Sequence, residues 1–162
     1  MKTKTNVRDL TKAEIEEFLT SQKVGLLALN DGERSYAVPL AYYYDDDTIY
    51  LTMAKKGRKG RCIDTNTNVC FTVYWIPEGF GALGTMSWKS VICDGVLERI
   101  TEPDDITHAV RTGEKRMGMP PGTWDRLLEM TLKNPAESSF WRIRVSDIGG
   151  KGVEDFKEEF EE

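Results

Sequence analysis

The sequence predicts an α+β domain built on a predominantly antiparallel six-stranded β-barrel with peripheral helices. Two observations favour this fold: short β-prone segments follow one another with hairpin-turn residues between them, and helical periodicity is confined to the margins of that region. With 162 residues, the chain is predicted to be a single domain over 1–162, in which 1–9 and 150–162 are flexible or peripheral tails.

The first predicted helix covers residues 11–22. Thr11 and Glu14 match a capping box, and apolar residues then recur at helical spacing. Strands are predicted at 24–29 and 35–44, because both segments are rich in apolar and aromatic residues and an Asn-Asp-Gly turn joins them. This part of the chain therefore begins with a helix and continues as a hairpin.

Pro39 interrupts the second of these strands. Since proline cannot donate to a sheet ladder, it indicates an edge, a bulge or a position that faces a ligand. The three aspartates at 45–47 predict a hairpin turn rather than a cation site, because an oxygen cage needs ligands at alternate, converging positions. The strand predicted at 48–52 completes a second hairpin.

Positive charge is concentrated directly after that strand. Five cations surround two glycines there: Lys55, Lys56, Arg58, Lys59 and Arg61. Backbone N–H groups near glycine can approach a ligand closely, and cations donate strong hydrogen bonds to phosphate. The stretch predicts a flexible phosphate-binding turn, followed by a short helix over 58–65. The net charge of −5 indicates a local site rather than a general nucleic-acid surface.

The remaining predicted elements are two strands, two helices and a closing strand. They are expected at 69–76, 86–100, 104–117, 123–132 and 138–145. A bulge is predicted at Asp94-Gly95 in the longest strand. In the closing strand Trp141, Ile143 and Val145 form an apolar face that should point to the core.

Conventional catalytic and metal motifs are not recognisable. The G-x-G-x-x-G letters at 79–84 are followed by a β-prone segment rather than a helix, so they predict a loop between strands and not a dinucleotide site. His108 is the single histidine, and no signal ties it to a nucleophile. The three cysteines lack a C-x-x-C pair, so no disulfide framework or metal site is expected. If the protein is an enzyme, a cofactor carries its chemistry.

Hydropathy argues against a membrane protein. No apolar run approaches the ~20 residues that span a bilayer, and the N-terminus lacks an apolar signal-peptide segment. We therefore expect a cytoplasmic protein without a membrane partner.

The chain resembles the pyridoxamine 5′-phosphate oxidase-like split-barrel flavoproteins, including the branch that contains nitroimidazole reductases. The resemblance covers roughly residues 10–100 and the closing strand. It lies in the capping helix followed by VGLLALNDGERSYAVPLAYYYDDDTIYLTMAKKGRKGRCIDTNTNVCFTVYW, and then KSVICDGVLERI. The most specific parts are the Arg-Lys turn after a small strand residue and the D/E-G-x-x-E-R pattern that begins at Asp94.

The resemblance implies a split barrel that binds FMN at a homodimer interface. Arg58 and Lys59, with Lys55 nearby, would hold the flavin phosphate, and Thr52 would contact the phosphate or the ribityl chain. The residues implied along the isoalloxazine ring are Val38, Pro39 and Leu40, and Ser90 would offer a polar side chain to the flavin. An apolar wall with a few polar groups suits such a ring.

Three features differ from the oxidases of this family. The chain has Tyr36 and Ala41 where those enzymes carry an arginine and a lysine, and its closing strand lacks their Arg-x-His. Pyridoxamine phosphate is therefore not the expected substrate.

The resulting hypothesis is an FMN-dependent oxidoreductase that acts on an unidentified small molecule. One alternative keeps the fold and binds deazaflavin or haem. Another is a non-enzymatic flavin- or nucleic-acid-binding module, in which the cations at 55–61 contact a single strand and the aromatic side chains of 42–44 and Trp75 stack on bases.

Overall fold

The computed structural model describes residues 7–80 and 87–153. Its β-strands are β1 Val7–Asp9, β2 Val24–Asn30, β3 Ser35–Asp45, β4 Thr48–Thr52, β5 Asn68–Trp75, β6 Trp88–Arg99 and β7 Phe140–Val153. Its α-helices are α1 Lys12–Ser21, α2 Gly57–Thr65, α3 Pro103–Arg116 and α4 Asp125–Lys133, and a 3₁₀ turn covers Pro135–Glu137.

Six of these strands close into an antiparallel barrel. The strand order is β7-β4-β3-β2-β5-β6, and β6 pairs again with β7, while β1 adds to β7 outside the barrel. The predicted α+β fold with a six-stranded antiparallel barrel is confirmed. The predicted hairpins are also present, since β2 pairs with β3 and β3 with β4.

Strand β7 is much longer than the sequence predicts. We expected it to end at Val145, but it runs 14 residues to Val153 and pairs with β6 and β1. Its glycines weaken the local strand signal, yet Gly150 is needed where α1 packs closely. A Cβ at Gly150 would lie 2.9 Å from Ile15. Residues 7–9 and 150–153 of the predicted tails therefore belong to strands, with 7–9 at the edge of the sheet, and the other residues of the predicted tails lie outside the described ranges.

The predicted irregularity at Asp94-Gly95 is confirmed, but the extra residue belongs to β7. Asp94 lies opposite Asp147 and Gly95 opposite Val145, so Ser146 has no partner in the register. The Ser146 hydroxyl donates to the Asp94 carbonyl over 3.1 Å. The bulge therefore bends the pair where β7 leaves the barrel.

The barrel interior is filled by inward side chains from all six strands. Among those with almost no exposed surface are Leu27, Tyr42, Ile49, Phe71, Val91, Leu97 and Ile143. Helix α1 begins with the predicted capping box between Thr11 and Glu14, and its Phe18 and Leu19 join this core. Trp141 and Ile143 face the interior as predicted.

A second apolar cluster lies on the outside of the barrel under α3 and α4. It contains Tyr43, Tyr50, Ile100, Ile106, Ala109, Val110, Leu128 and Phe140. The rings of Tyr43 and Tyr50 stack with centroids 5.0 Å apart. Because Tyr42, Tyr43 and Tyr44 are all buried, they cannot serve as the stacking platforms of a nucleic-acid-binding module.

Candidate functional site

Among the strands that the structure describes, none pairs with the first half of β3 on the side away from β2, which leaves an open edge there. Strand β4 pairs only with Tyr42–Asp45, whereas Ser35–Ala41 pair with β2 on their other side. Pro39 lies in this half, where its missing N–H costs no ladder bond with β4. The edge position that Pro39 indicates in the sequence is present, and the backbone beside it is available to a ligand.

The cationic stretch is largely helical rather than a flexible turn. Helix α2 begins at Gly57, one residue before the predicted start, and its N-cap residue Lys56 provides no side-chain cap. Gly57 has a φ of +60°, a conformation that favours glycine. The N–H groups of an uncapped first turn attract anions, and the helix dipole adds to the charges of Arg58 and Lys59.

Arg58 brings α2 into contact with the open half of β3. Its guanidinium carbon lies 4.7 Å from the centroid of the Tyr36 ring, and its Nη2 donates to the Ser35 carbonyl over 3.1 Å. Lys59 is half-buried beside it. The basic end of α2 therefore adjoins the open edge of β3.

The other residues that were predicted near the phosphate have different surroundings. Thr52 is exposed at the end of β4, opposite Phe140. Lys55 forms an ion pair with Asp64 of α2. Its ammonium group is thus partly neutralised within the chain, which makes Arg58 and Lys59 the stronger candidates for a phosphate.

The three predicted ring contacts on β3 do not present the same surface. The side chains of Val38 and Leu40 are half-buried and pack against the barrel core, while Pro39 is exposed on the opposite side. A ligand at the open edge would therefore meet the backbone of Val38 and Leu40 rather than an apolar wall of all three side chains.

Ser90 is separated from the other predicted site residues within one chain. It lies on β6, opposite Tyr74 of β5, and β2 and β5 intervene between β6 and β3. Three strand spacings amount to about 14 Å across a sheet. Ser90 therefore lies on a different part of the barrel wall from the open half of β3 of the same chain, and its predicted contact with a flavin remains a prediction.

An exposed apolar surface covers the outside of β2, β5 and β6. We call it the outer β-face and define it by Val24, Leu26, Pro39, Tyr74, Ile92 and Val96. Val24, Tyr74 and Ile92 are exposed by 56%, 59% and 48%. A groove of about 460 Å³ between Val24, Pro39 and Tyr74 lies on this face.

A cavity of about 510 Å³ lies elsewhere, between α1, the β3–β4 turn and the bulged part of β7. None of the predicted site residues lines it. Its larger volume does not make it the better candidate, because it lacks the concentrated positive charge found at α2.

The carboxylate of Asp31 interacts electrostatically with Arg58. The Asp31 carboxylate accepts hydrogen bonds from the N–H groups of Arg34 and Glu33, which lower its pKa, and the charge of Arg58 adds to the effect. His108 is exposed on α3, with its ring 6.5 Å from that of Tyr50. Within 7–80 and 87–153, no group of histidine, cysteine and acidic residues could hold a metal ion.

Sequence reasoning missed Ser35 and Tyr36 as parts of this site. Both contact Arg58, which lies more than 20 residues further along the chain. Nothing in the local pattern around Tyr36 indicates a cationic neighbour.

Comparison with known proteins identifies the family. The sequence profile described as pyridoxamine 5′-phosphate oxidase matches residues 11–152. No curated protein matches the sequence significantly. In the described part of the chain, no helix is both long enough and apolar enough to cross a membrane.

Solved structures share the fold over nearly the whole chain. A candidate 5-nitroimidazole antibiotic resistance protein from Bacteroides thetaiotaomicron has a TM-score of 0.75 and 21% identity, covering 92% of this chain and 90% of its own. An FAD-binding protein from Mesorhizobium loti has a TM-score of 0.65 and 29% identity, with coverage of 93% and 99%. An FAD-binding protein from Mycobacterium smegmatis has a TM-score of 0.62 and 16% identity, with coverage of 90% and 98%.

Proposed function

The chain belongs to the pyridoxamine 5′-phosphate oxidase family, and on that premise we propose that it is an FMN-dependent oxidoreductase that binds its flavin between two copies of itself. The observation that carries the proposal is the uncapped, cationic N-terminus of α2 beside the open edge of β3. The flavin-binding names of two structural neighbours support a flavin as the ligand.

The residues at α2 suit a flavin phosphate. A phosphate dianion requires several charge-assisted donors, and the N–H groups of the first turn of α2, Arg58 and Lys59 supply them within one short segment. FMN ends in such a terminal phosphate. In this proposal these groups anchor the cofactor, while Thr52 at the end of β4 contacts the adjoining ribityl chain.

The open edge of β3 suits the flavin ring. An isoalloxazine carries hydrogen-bonding groups on its pyrimidine edge and is otherwise apolar. Beyond Ser35, whose carbonyl accepts from Arg58, the backbone of Tyr36–Ala41 has no strand partner among the described residues on the side away from β2, and Pro39 and Leu26 provide apolar surface on the adjoining outer face. A bound flavin supplies electron transfer to or from a small-molecule substrate.

A second copy of the chain would account for the exposed apolar side chains of the outer β-face and for the position of Ser90. The outer β-face exposes several large apolar side chains that a partner would cover, which also removes water from the cofactor site. Ser90 lies on β6, the strand that also carries Ile92 and Val96 of the outer β-face. In this proposal its hydroxyl therefore contacts the flavin at the interface with the second copy, and not a flavin at α2 of its own chain.

The decisive experiment is the visible absorption spectrum of the purified protein, before and after incubation with FMN. We expect flavin bands, and release by denaturation followed by chromatography should give FMN rather than FAD. If the spectrum is that of a deazaflavin or of haem, that group and not FMN is the cofactor. Protein that is colourless and takes up neither FMN nor FAD would refute it.

The oxidoreductase part requires a separate measurement. Photoreduced holoprotein, kept without oxygen, should be reoxidised by members of a panel of quinones and nitroaromatics. A flavin that is bound but exchanges electrons with no tested acceptor faster than free FMN does would argue for a flavin-binding module instead.

A further inference from the structure

Arg58 is held in place by two groups from one strand. Its guanidinium carbon lies over the Tyr36 ring, 4.7 Å from the centroid, and its Nη2 donates to the Ser35 carbonyl over 3.1 Å. Tyr36 is itself half-buried and packs against the barrel core. The guanidinium is thus tied to the rigid barrel although Arg58 is an exposed residue on a short helix.

These two contacts leave most of the donors of Arg58 available. A guanidinium has five N–H donors, and the hydrogen bond to Ser35 uses one of them. The bond to Ser35 occupies Nη2, so donors on the other nitrogens can still meet a phosphate. An arginine that is already oriented loses less side-chain freedom when it binds an anion than a free one does.

The geometry points to Tyr36 as a positioning residue, which orients Arg58 for the flavin phosphate and so favours a phosphorylated flavin over riboflavin. This inference rests on the proposed function, because it concerns the same site. Tyr36 acts through Arg58 and through the face of its ring. Its hydroxyl is not required.

The inference can be tested with a thermodynamic cycle. Dissociation constants for FMN and for riboflavin would be measured by fluorescence titration on the wild type and on Tyr36→Leu, Tyr36→Phe, Arg58→Ala and the Tyr36→Leu/Arg58→Ala double variant. Leucine keeps an apolar side chain against the core but removes the ring, while phenylalanine keeps the ring. Thermal melts establish that each variant is folded.

We expect Tyr36→Leu to weaken FMN binding about two- to fivefold, the range for loss of a solvent-accessible cation–π contact. Riboflavin affinity should stay within about twofold of the wild type, and Tyr36→Phe should bind FMN like the wild type. In the Arg58→Ala background, Tyr36→Leu should have no further effect, because the residue that it positions is absent.

Several outcomes would overturn the inference. Equal losses for FMN and riboflavin would mean that Tyr36 contacts the ring system or supports the fold. An undiminished effect in the Arg58→Ala background would show that it acts independently of Arg58. An FMN affinity unchanged in Tyr36→Leu would remove the role altogether. Wild-type protein that binds neither flavin refutes the proposed function itself, so the two failures are distinguishable.

Discussion

Arg58 illustrates how much depends on one side chain at this site. It is the cation that the structure joins to the open half of β3. Arg58→Ala should weaken FMN binding by about ten- to a hundredfold, or about 1.5 to 3 kcal/mol, because it removes a charged hydrogen bond to phosphate. The measurement is the dissociation constant for FMN by fluorescence titration.

The control for Arg58→Ala is Arg126→Ala, which makes the same change of charge at an exposed position of α4. It should leave FMN binding unchanged. Equal losses in the two variants would mean that overall charge, rather than a contact at α2, governs binding.

Glu114 is a buried carboxylate that holds a loop. Its two oxygens accept hydrogen bonds from the backbone N–H of Trp124 over 2.8 Å, from that of Gly122 over 3.2 Å and from Arg111. The bond from Trp124, with those from Arg111 and Gly122, lowers the pKa of Glu114 against the opposing effect of burial. The ionised form therefore connects α3 to the segment that leads into α4.

Glu114→Gln should lower the melting temperature by several degrees near pH 7, because glutamine has one acceptor oxygen where two are used. The folded-state pKa lies below the usual 4.5, so the stabilisation is present above that value and is lost as the pH falls through the folded pKa. The difference in melting temperature between the wild type and Glu114→Gln should therefore become smaller in acid. Glu129→Gln, at an exposed position of α4, is the control, and a gap independent of pH would contradict the assignment.

Helix α2 is the element on which the proposed site depends. It begins at Gly57, whose backbone conformation sets the direction in which the helix leaves β4. The φ of this residue is +60°, and no atom lies within 4 Å of a Cβ added there. Gly57→Ala therefore meets no steric obstacle, and its cost is the left-handed backbone alone, about 1 kcal/mol. A helix that relieves this strain by shifting its first turn would move the phosphate-binding N–H groups.

Gly118→Ala provides a matched comparison. Gly118 follows α3 with a φ of +69° and equally open surroundings. Chemical denaturation should show a similar loss of stability in both variants, whereas only Gly57→Ala should weaken FMN binding. If both variants bind FMN like the wild type, the first turn of α2 does not hold the phosphate.

At the scale of the whole molecule, the outer β-face is the interface that we propose between two copies of the chain. Ile92 lies in the row Pro39, Leu26, Thr72, Ile92 across the barrel and is 48% exposed. Ile92→Lys should convert the proposed dimer to a monomer and reduce FMN retention, because a buried unpaired charge is strongly unfavourable. Analytical ultracentrifugation measures the first effect and the absorption spectrum the second.

Met130→Lys is the corresponding control, since Met130 is 60% exposed on α4 and lies outside the outer β-face. It should leave both the assembly and the flavin unchanged. A wild type that sediments as a monomer with bound flavin would contradict the interface, while leaving the phosphate site at α2 intact.

Local chemistry made much of this protein predictable from its sequence. The capping box of α1, the aspartate turn between β3 and β4 and the strand that leads into the cations each depend on residues only a few positions apart. The position of the irregularity at Asp94-Gly95 was also predictable, although its extra residue, Ser146, lies on β7. Such features are recognisable because turn geometry, helix capping and strand preference are decided within a few residues of chain.

Other features required the tertiary structure, because they depend on contacts between distant segments. Residues 150–153 look like a loose glycine-rich tail, yet β1, β6 and α1 supply partners that make them a strand. The aromatic side chains of 42–44 look available for stacking, but α1 and α3 bury them.

The site divides in the same way. Its positive charge and glycines are properties of the sequence between 55 and 61, which is sufficient to suggest a phosphate. The tertiary structure decided three other features of the site. Arg58 contacts Tyr36, Lys55 forms an ion pair with Asp64, and Ser90 lies three strands away from β3. Closure of the barrel brings together residues that are far apart along the chain. The sequence around each of them does not indicate which distant residue it will contact, so only the folded sheet determines these contacts.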